Sequence, residues 1–201
     1  MIKDYTKLDD FDLISLTVNK GDNNAYSVLV KKYQRRMYMV ALGVVRNEND
    51  AIEMVQETFL KAYKALGGFK YNAGFYSWLY RILMNLCIDH IRKNNKAELR
   101  EFDEKFAQDS KNSLAEALGC FKDDPFERAS RAELSKMLNE ALNTLTVKHR
   151  TIIVLREVEG MSYQEIAEIL EIGIGTVMSR LFHARKTLQE ILVKRNVTKD
   201  F

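Results

Sequence analysis

The sequence predicts an all-α protein, on three observations. Apolar residues recur at steps of three and four through most of the chain, the spacing that stacks side chains along one face of a helix. One proline and nine glycines in 201 residues disfavour a β-sandwich or barrel, whose many turns consume both. Apolar residues make up 46% and charged residues 29% of the chain, a globular balance that excludes a wholly disordered or a membrane-embedded protein. The longest apolar run, Met37 to Val45, is far shorter than the ~20 residues a helix needs to cross a bilayer. The opening MIKDYTKLDD lacks the basic-then-apolar order of a signal, and two cysteines, Cys87 and Cys120, cannot build a disulfide framework. These features predict a cytoplasmic protein.

The first element is a short helix near Asp10 to Lys20. Leu29, Tyr33, Met37, Val40 and Val44 then mark one side of a second helix, and Ile52, Val55, Phe59, Tyr63 and Leu66 one side of a third. In the third, Ile52, Val55, Phe59 and Leu66 are expected to be buried. Gly67 and Gly68 end it, and a loop follows through Tyr71, Asn72, Ala73 and Gly74. A further helix starts near Phe75 and reaches about Lys93, with Leu79, Ile82, Leu83 and Leu86 toward the core and Arg81, Asn85, Ile88 and Arg92 opposite. Residues 1–95 are thus expected to form one helical domain. Periodicity fades over residues 96–128, where nine acidic residues face six basic ones and the single proline, Pro125, occurs. That stretch reads as a mildly acidic linker without one structure. Periodicity resumes at Leu134, Met137, Leu138, Ala141, Leu142 and Leu145 and continues through Ile152, Ile153 and Leu155 to Gly160, opening a second domain over 129–201.

The strongest local signal lies between Gly160 and Leu192. Ser162 followed by Glu165 is a capping box, which satisfies orphan backbone donors at a helix start, and Ile166, Ala167 and Leu170 then face inward. Glu171, Ile172 and Gly173 break that helix after about two turns, and a second helix from about Gly175 buries Val177, Leu181, Ala184 and Leu188. Two short helices so joined fit a helix-turn-helix. Burial of that stripe leaves Met178, Ser179, Phe182 and His183 outward, with Arg180, Arg185 and Lys186 beside them. Such a face suits a major groove, bases in front and phosphates at the flanks. A plain helical hairpin with a solvated basic face fits the same residues. Gly173 and Gly175 begin a dinucleotide fingerprint only superficially, because Met178 holds the third glycine position and no strand precedes it.

Net charge is only +3, so the positions of charges must decide any nucleic-acid binding. Asn85 between Arg81 and Arg92 is a base-reading and phosphate-holding set, although solvation alone explains it as well, and Trp78 suits either a stacking platform or a core position. Cys87 and His90 have a ligand-like spacing without a second pair, and Glu53 and Glu57 share a face without a histidine or phosphate loop. Neither set predicts an enzyme, a metal or a cofactor.

In this order the parts resemble an extracytoplasmic-function sigma factor of the bacterial sigma-70 family. DAIEMVQETFLKAY at Asp50 to Tyr63 is similar to the core-polymerase-binding helix, and FYSWLYRILMNLCIDHIRK at Phe75 to Lys93 to the promoter-melting and minus-ten helix. GMSYQEIAEILEIGIGTVMSRLFHARKTL at Gly160 to Leu188 is similar to the minus-thirty-five reader. The resemblance implies a region-two domain at 1–95, a linker at 96–128 that threads a basic channel, and a region-four domain at 129–201. It implies docking on the clamp of the largest polymerase subunit through Asp50, Glu53, Gln56, Glu57 and Leu60, and contact with the flap of the second-largest. Trp78, Arg81, Asn85 and Arg92 are the minus-ten residues by the same resemblance, and Thr176, Met178, Ser179, Arg180, Phe182, His183, Arg185 and Lys186 the minus-thirty-five residues. An anti-sigma factor, promoter DNA and a stress or envelope response follow as expectations. Ile52 and Glu53 stand where the family often has Glu then Asp, and Met178 and His183 where many members carry Arg or Lys. Two other readings fit less of the chain: a two-domain helix-turn-helix regulator with a small-ligand pocket in its first domain, and an enzyme using Cys87 and His90.

Overall fold

A computed structural model describes residues 5–70, 74–98, 137 and 140–194, and among these every regular element is helical. Helix α1 spans Asp10–Lys20, α2 Asn23–Val45, α3 Glu48–Ala65 and α4 Phe75–Glu98. Side chains set the boundaries. Asp9 accepts from the Asp12 N–H at 2.8 Å to start α1, and Gly21, at φ 61°, ends it in the left-handed conformation that glycine tolerates best. Asp22 and Asn47 cap α2 and α3 in the same way.

Helices α2, α3 and α4 pack together around Leu29, Met37, Val40, Phe59, Leu79 and Leu83. On α3 the buried stripe is Ala51, Met54, Val55, Thr58, Phe59 and Ala62. Ile52, expected inside, is 45% exposed, and Tyr63 of the same periodic run is 44% exposed, because α3 meets its neighbours along a narrow face and these two stand on its shoulders. On α4 the expected pair Ile82 and Leu86 is only half-buried, whereas Tyr80, Met84 and Cys87 are fully enclosed. The reason is that α4 is covered on two sides, by α2 and α3 and by the helix at Tyr163–Leu170. The expected linker lies outside the described residues beyond Glu98.

Residues 140–144 are helical, and the chain then breaks, since the Thr146 hydroxyl accepts from the His149 N–H and starts a new helix, α5, at Val147–Ile153. The helical periodicity that runs from Leu134 to Gly160 in the sequence is therefore interrupted at Leu145 and Thr146. A π-helical turn follows at Val154–Val158, then α6 at Tyr163–Leu170 and α7 at Ile174–Lys194. The two halves share a continuous apolar core in which Ile152, Leu155 and Ile166 join Val40, Val44 and Leu83. Polar groups also cross the junction. Arg150, 6% exposed, donates from Nη2 to the Val44 carbonyl at 2.8 Å, placing a cation on the negative end of the α2 dipole.

Candidate nucleic-acid interface

The C-terminal half presents the expected helix-turn-helix. The Ser162 hydroxyl accepts from the Glu165 N–H at 3.2 Å, and the Glu165 carboxylate accepts from the Ser162 N–H at 2.8 Å. These bonds hold the Glu165 carboxyl below the usual carboxylate range. Glu171 ends α6 at φ 54°, and the Ile172 N–H reaches back to the Ala167 carbonyl at 3.0 Å, which turns the chain into α7. There Val177, Leu181 and Ala184 are buried, while Leu188 is half-buried.

That roll of α7 leaves Thr176, Met178, Ser179, Phe182, His183, Arg185 and Lys186 exposed and Arg180 half-buried. Phe182 is 64% exposed, a large apolar ring standing in water beside basic groups. A groove of about 500 Å³ runs between Tyr163 on α6 and Met178, Phe182, Lys186 and Gln189 on α7. Arg185 is already engaged, with Nε and Nη2 both on Glu157 Oε1 at 3.1 and 2.6 Å. His183 stacks on His149 of α5, ring centroids 6.4 Å apart, and burial, then the neighbouring His183 and Arg180 charges, lower the pKa of His149.

In the N-terminal half, Trp78 is half-buried against Phe69 and Phe75, with ring centroids at 5.1 and 5.7 Å. It therefore props the chain on both sides of residues 71–73. Asn85 is exposed, and Arg92 pairs with Asp89 one turn away at 3.2 Å. Arg81 points elsewhere than expected. Its Nη2 donates to the Glu168 carbonyl of α6 at 3.1 Å and its Nη1 lies 3.7 Å from Glu171, so it is turned to the other half of the chain. On α3, Glu53, Gln56 and Leu60 are exposed, Glu57 pairs with Lys61, and Asp50 is held by His90 at 3.0 Å. With Ile52 and Tyr63 outward as well, residues 52, 56, 60 and 63 form one exposed row at steps of four, four and three.

One cluster escaped the sequence reading. The side chain of Glu159, only 4% exposed, accepts from Tyr76 Oη–H at 3.1 Å and Tyr80 Oη–H at 2.9 Å on Oε2, and the same oxygen forms an ion pair with Arg36, whose Nε lies 3.3 Å away. Its members come from three distant stretches of chain, so no local spacing signals it. Cys87 is enclosed and its thiol is pushed up to about 12 by burial, which makes it an inert core residue. Among the described residues no three His, Cys, Asp or Glu side chains gather where they could hold a metal, and no helix is long and apolar enough to cross a membrane.

Family models agree with this two-part layout: Sigma-70 region 2 matches residues 29–97, and Sigma-70, region 4 matches residues 135–188. The RNA polymerase sigma-H factor of Pseudomonas aeruginosa is 32% identical over 179 residues, 87% of this chain and 90% of the relative. The ECF RNA polymerase sigma-E factor of Haemophilus influenzae is 33% identical over 86% of this chain and 89% of its own length. Among solved structures, CnrH in complex with the cytosolic domain of CnrY aligns at a TM-score of 0.64 and 25% identity, over 92% of this chain and 97% of that one. RpoE of Bartonella quintana, solved with the anti-sigma factor NepR, has the same fold at a TM-score of 0.67 and 23% identity, over 83% of this chain and 96% of that one.

Proposed function

The chain belongs to the extracytoplasmic-function class of the sigma-70 family, which joins core RNA polymerase and directs promoter-specific initiation, and from that premise we propose how its residues divide the work. The observation that carries the division is the roll of α7, which buries Val177, Leu181 and Ala184 and turns Met178, Ser179, Phe182 and His183 outward. That face reads base edges of the minus-thirty-five element in the major groove. Thr176, Arg180, Arg185 and Lys186 flank it and hold phosphates, Arg185 by exchanging Glu157 for DNA.

Region two does the rest. Asn85 reads a splayed minus-ten base, Arg92 and Arg81 hold the backbone, and Trp78 steadies the loop that receives the strand. The α3 row of Ile52, Gln56, Leu60 and Tyr63, with Asp50, Glu53 and Glu57 beside it, docks on the polymerase clamp, and the second half meets the flap. Mixed apolar and polar side chains of this kind make good interface centres. An anti-sigma factor is the restraining partner we propose, covering the exposed Met178 and Phe182, and the compartment is the cytoplasm, where polymerase works.

The closed arrangement is not the working one. Elements about 25 base pairs apart lie roughly 85 Å apart along B-DNA at 3.4 Å per pair. Arg81 cannot serve minus-ten DNA while bonded to α6, so the halves separate on the polymerase. Run-off transcription with purified core polymerase tests the reading. Initiation from a specific set of promoters, absent with core alone, is expected; equal initiation with and without the chain would refute it.

A further inference from the structure

The cluster around Glu159 has the chemistry of an oxyanion site. Three groups converge on one oxygen: the hydroxyls of Tyr76 and Tyr80 and the Arg36 guanidinium. The two hydroxyls donate hydrogen bonds, and the guanidinium adds a positive charge. Burial, reinforced by the Glu159 charge, raises both tyrosine pKa values far above the ordinary phenol range, so both keep the proton they donate. The Arg36 guanidinium also lies 5.8 Å from the Tyr76 ring centre, and the two tyrosine rings are 4.4 Å apart, which fixes the donors relative to one another. Every donor belongs to α2 or α4, and the single acceptor belongs to the loop between the π-helical turn and α6. Separation of the halves therefore removes the acceptor and leaves a preassembled donor set shared by α2 and α4, the latter being the helix that also carries Trp78 and Asn85.

We propose that Arg36, Tyr76 and Tyr80 form a phosphate-binding site for the single-stranded promoter strand, and that Glu159 occupies it as a phosphate mimic in the closed chain. A phosphodiester presents the same anionic oxygens as a carboxylate, and donors that suit one suit the other. The site gives the free chain a reason to bind single-stranded DNA poorly: the strand must displace a covalently tethered carboxylate, whose effective concentration greatly exceeds that of free ligand. The inference rests on the reading that region two handles the minus-ten strand, and it adds to that reading a site and an intramolecular competitor.

The test uses the full chain and a fluorescein-labelled single-stranded oligonucleotide of 12 mixed bases, by anisotropy. Glu159→Gln keeps the shape and removes the charge, so the oligonucleotide should bind about tenfold more tightly than to wild type, the weight of one charge-assisted hydrogen bond. Glu48→Gln, which removes the same charge from the first turn of α3, should change affinity less than about twofold. Adding Tyr76→Phe and Tyr80→Phe to Glu159→Gln should abolish the gain, and a methylphosphonate backbone, which carries no charge, should show none. An unchanged affinity for Glu159→Gln, an equal gain for Glu48→Gln, or a gain that survives loss of both hydroxyls or of the backbone charge would each overturn the proposal. Any of these results with normal promoter-specific run-off would defeat this site alone, whereas loss of run-off by wild type would defeat the functional reading beneath it.

Discussion

Leu181 and Phe182 are chain neighbours with opposite fates, and alanine at each should separate folding from DNA reading. Leu181 is 1% exposed beneath α7, so Leu181→Ala leaves a cavity and costs roughly 2 to 5 kcal/mol of stability. Phe182 is 64% exposed, so only about a third of a ~200 Å² side chain is out of water, and at 25 cal/mol per Å² its loss costs at most about 1.7 kcal/mol. With a urea slope of about 2 kcal/mol per molar, Leu181→Ala should lower the midpoint by at least ~1 M and Phe182→Ala by less than that. Binding should rank the other way. Phe182→Ala, still folded, should weaken minus-thirty-five DNA by about 1 to 3 kcal/mol, roughly 5- to 150-fold, and only for sequences that offer its preferred base contact. The assay is urea unfolding by circular dichroism beside anisotropy with a duplex carrying a selected minus-thirty-five element. A larger stability loss for Phe182→Ala than for Leu181→Ala, or unchanged DNA affinity in Phe182→Ala, would refute the roll assigned to α7.

Gln56→Ala combined with Leu60→Ala should weaken core-polymerase binding by about 2 kcal/mol or more at unchanged helical content, read by co-purification and circular dichroism. Ser162→Ala should cost about 1 kcal/mol of stability, read from the urea midpoint, because the Glu165 N–H loses its acceptor. The Glu165 carboxyl has a lowered pKa in the folded chain, so its ionised form favours folding above the ordinary carboxylate pKa, and that contribution fades as pH falls through the lowered one. The stability advantage of wild type over Glu165→Gln should accordingly be present at neutral pH and vanish in acid. In a Cys120→Ser background, Cys87 should react with iodoacetamide only after denaturation, since its thiol is enclosed and pushed up to about 12; mass spectrometry of the native protein at pH 8 checks this.

The helix-turn-helix was legible because its signals are local. Ser162 and Glu165 lie three residues apart, and the stripe Val177, Leu181, Ala184 follows within one helix. The start of α5 had a local signal too, Thr146, but its cap sits inside an apolar run whose period alone reads straight through it. Ile52 was misassigned, and Tyr63 lies off the buried stripe, because a spacing of four and three gives the direction of a helix face and not its width. The width depends on how many neighbours cover the helix: α3 packs against α2 and α4, whereas α4 packs against α2, α3 and α6. Arg81 and the group of Arg36, Tyr76, Tyr80 and Glu159 were beyond sequence reasoning for a different reason. Their partners lie 79 to 87 positions away along the chain for the tyrosines and Arg81, and only the packing of α4 on α6 brings them together.

The division of labour between the halves is tested most directly by sequencing transcripts from a randomised promoter library, initiated by core polymerase with wild type, Asn85→Ala or Phe182→Ala. Wild type should select two sequence blocks about 25 base pairs apart. Asn85→Ala should change preference only in the downstream block, and Phe182→Ala only in the upstream one. A single selected block, or variants that alter both blocks alike, would contradict the assignment.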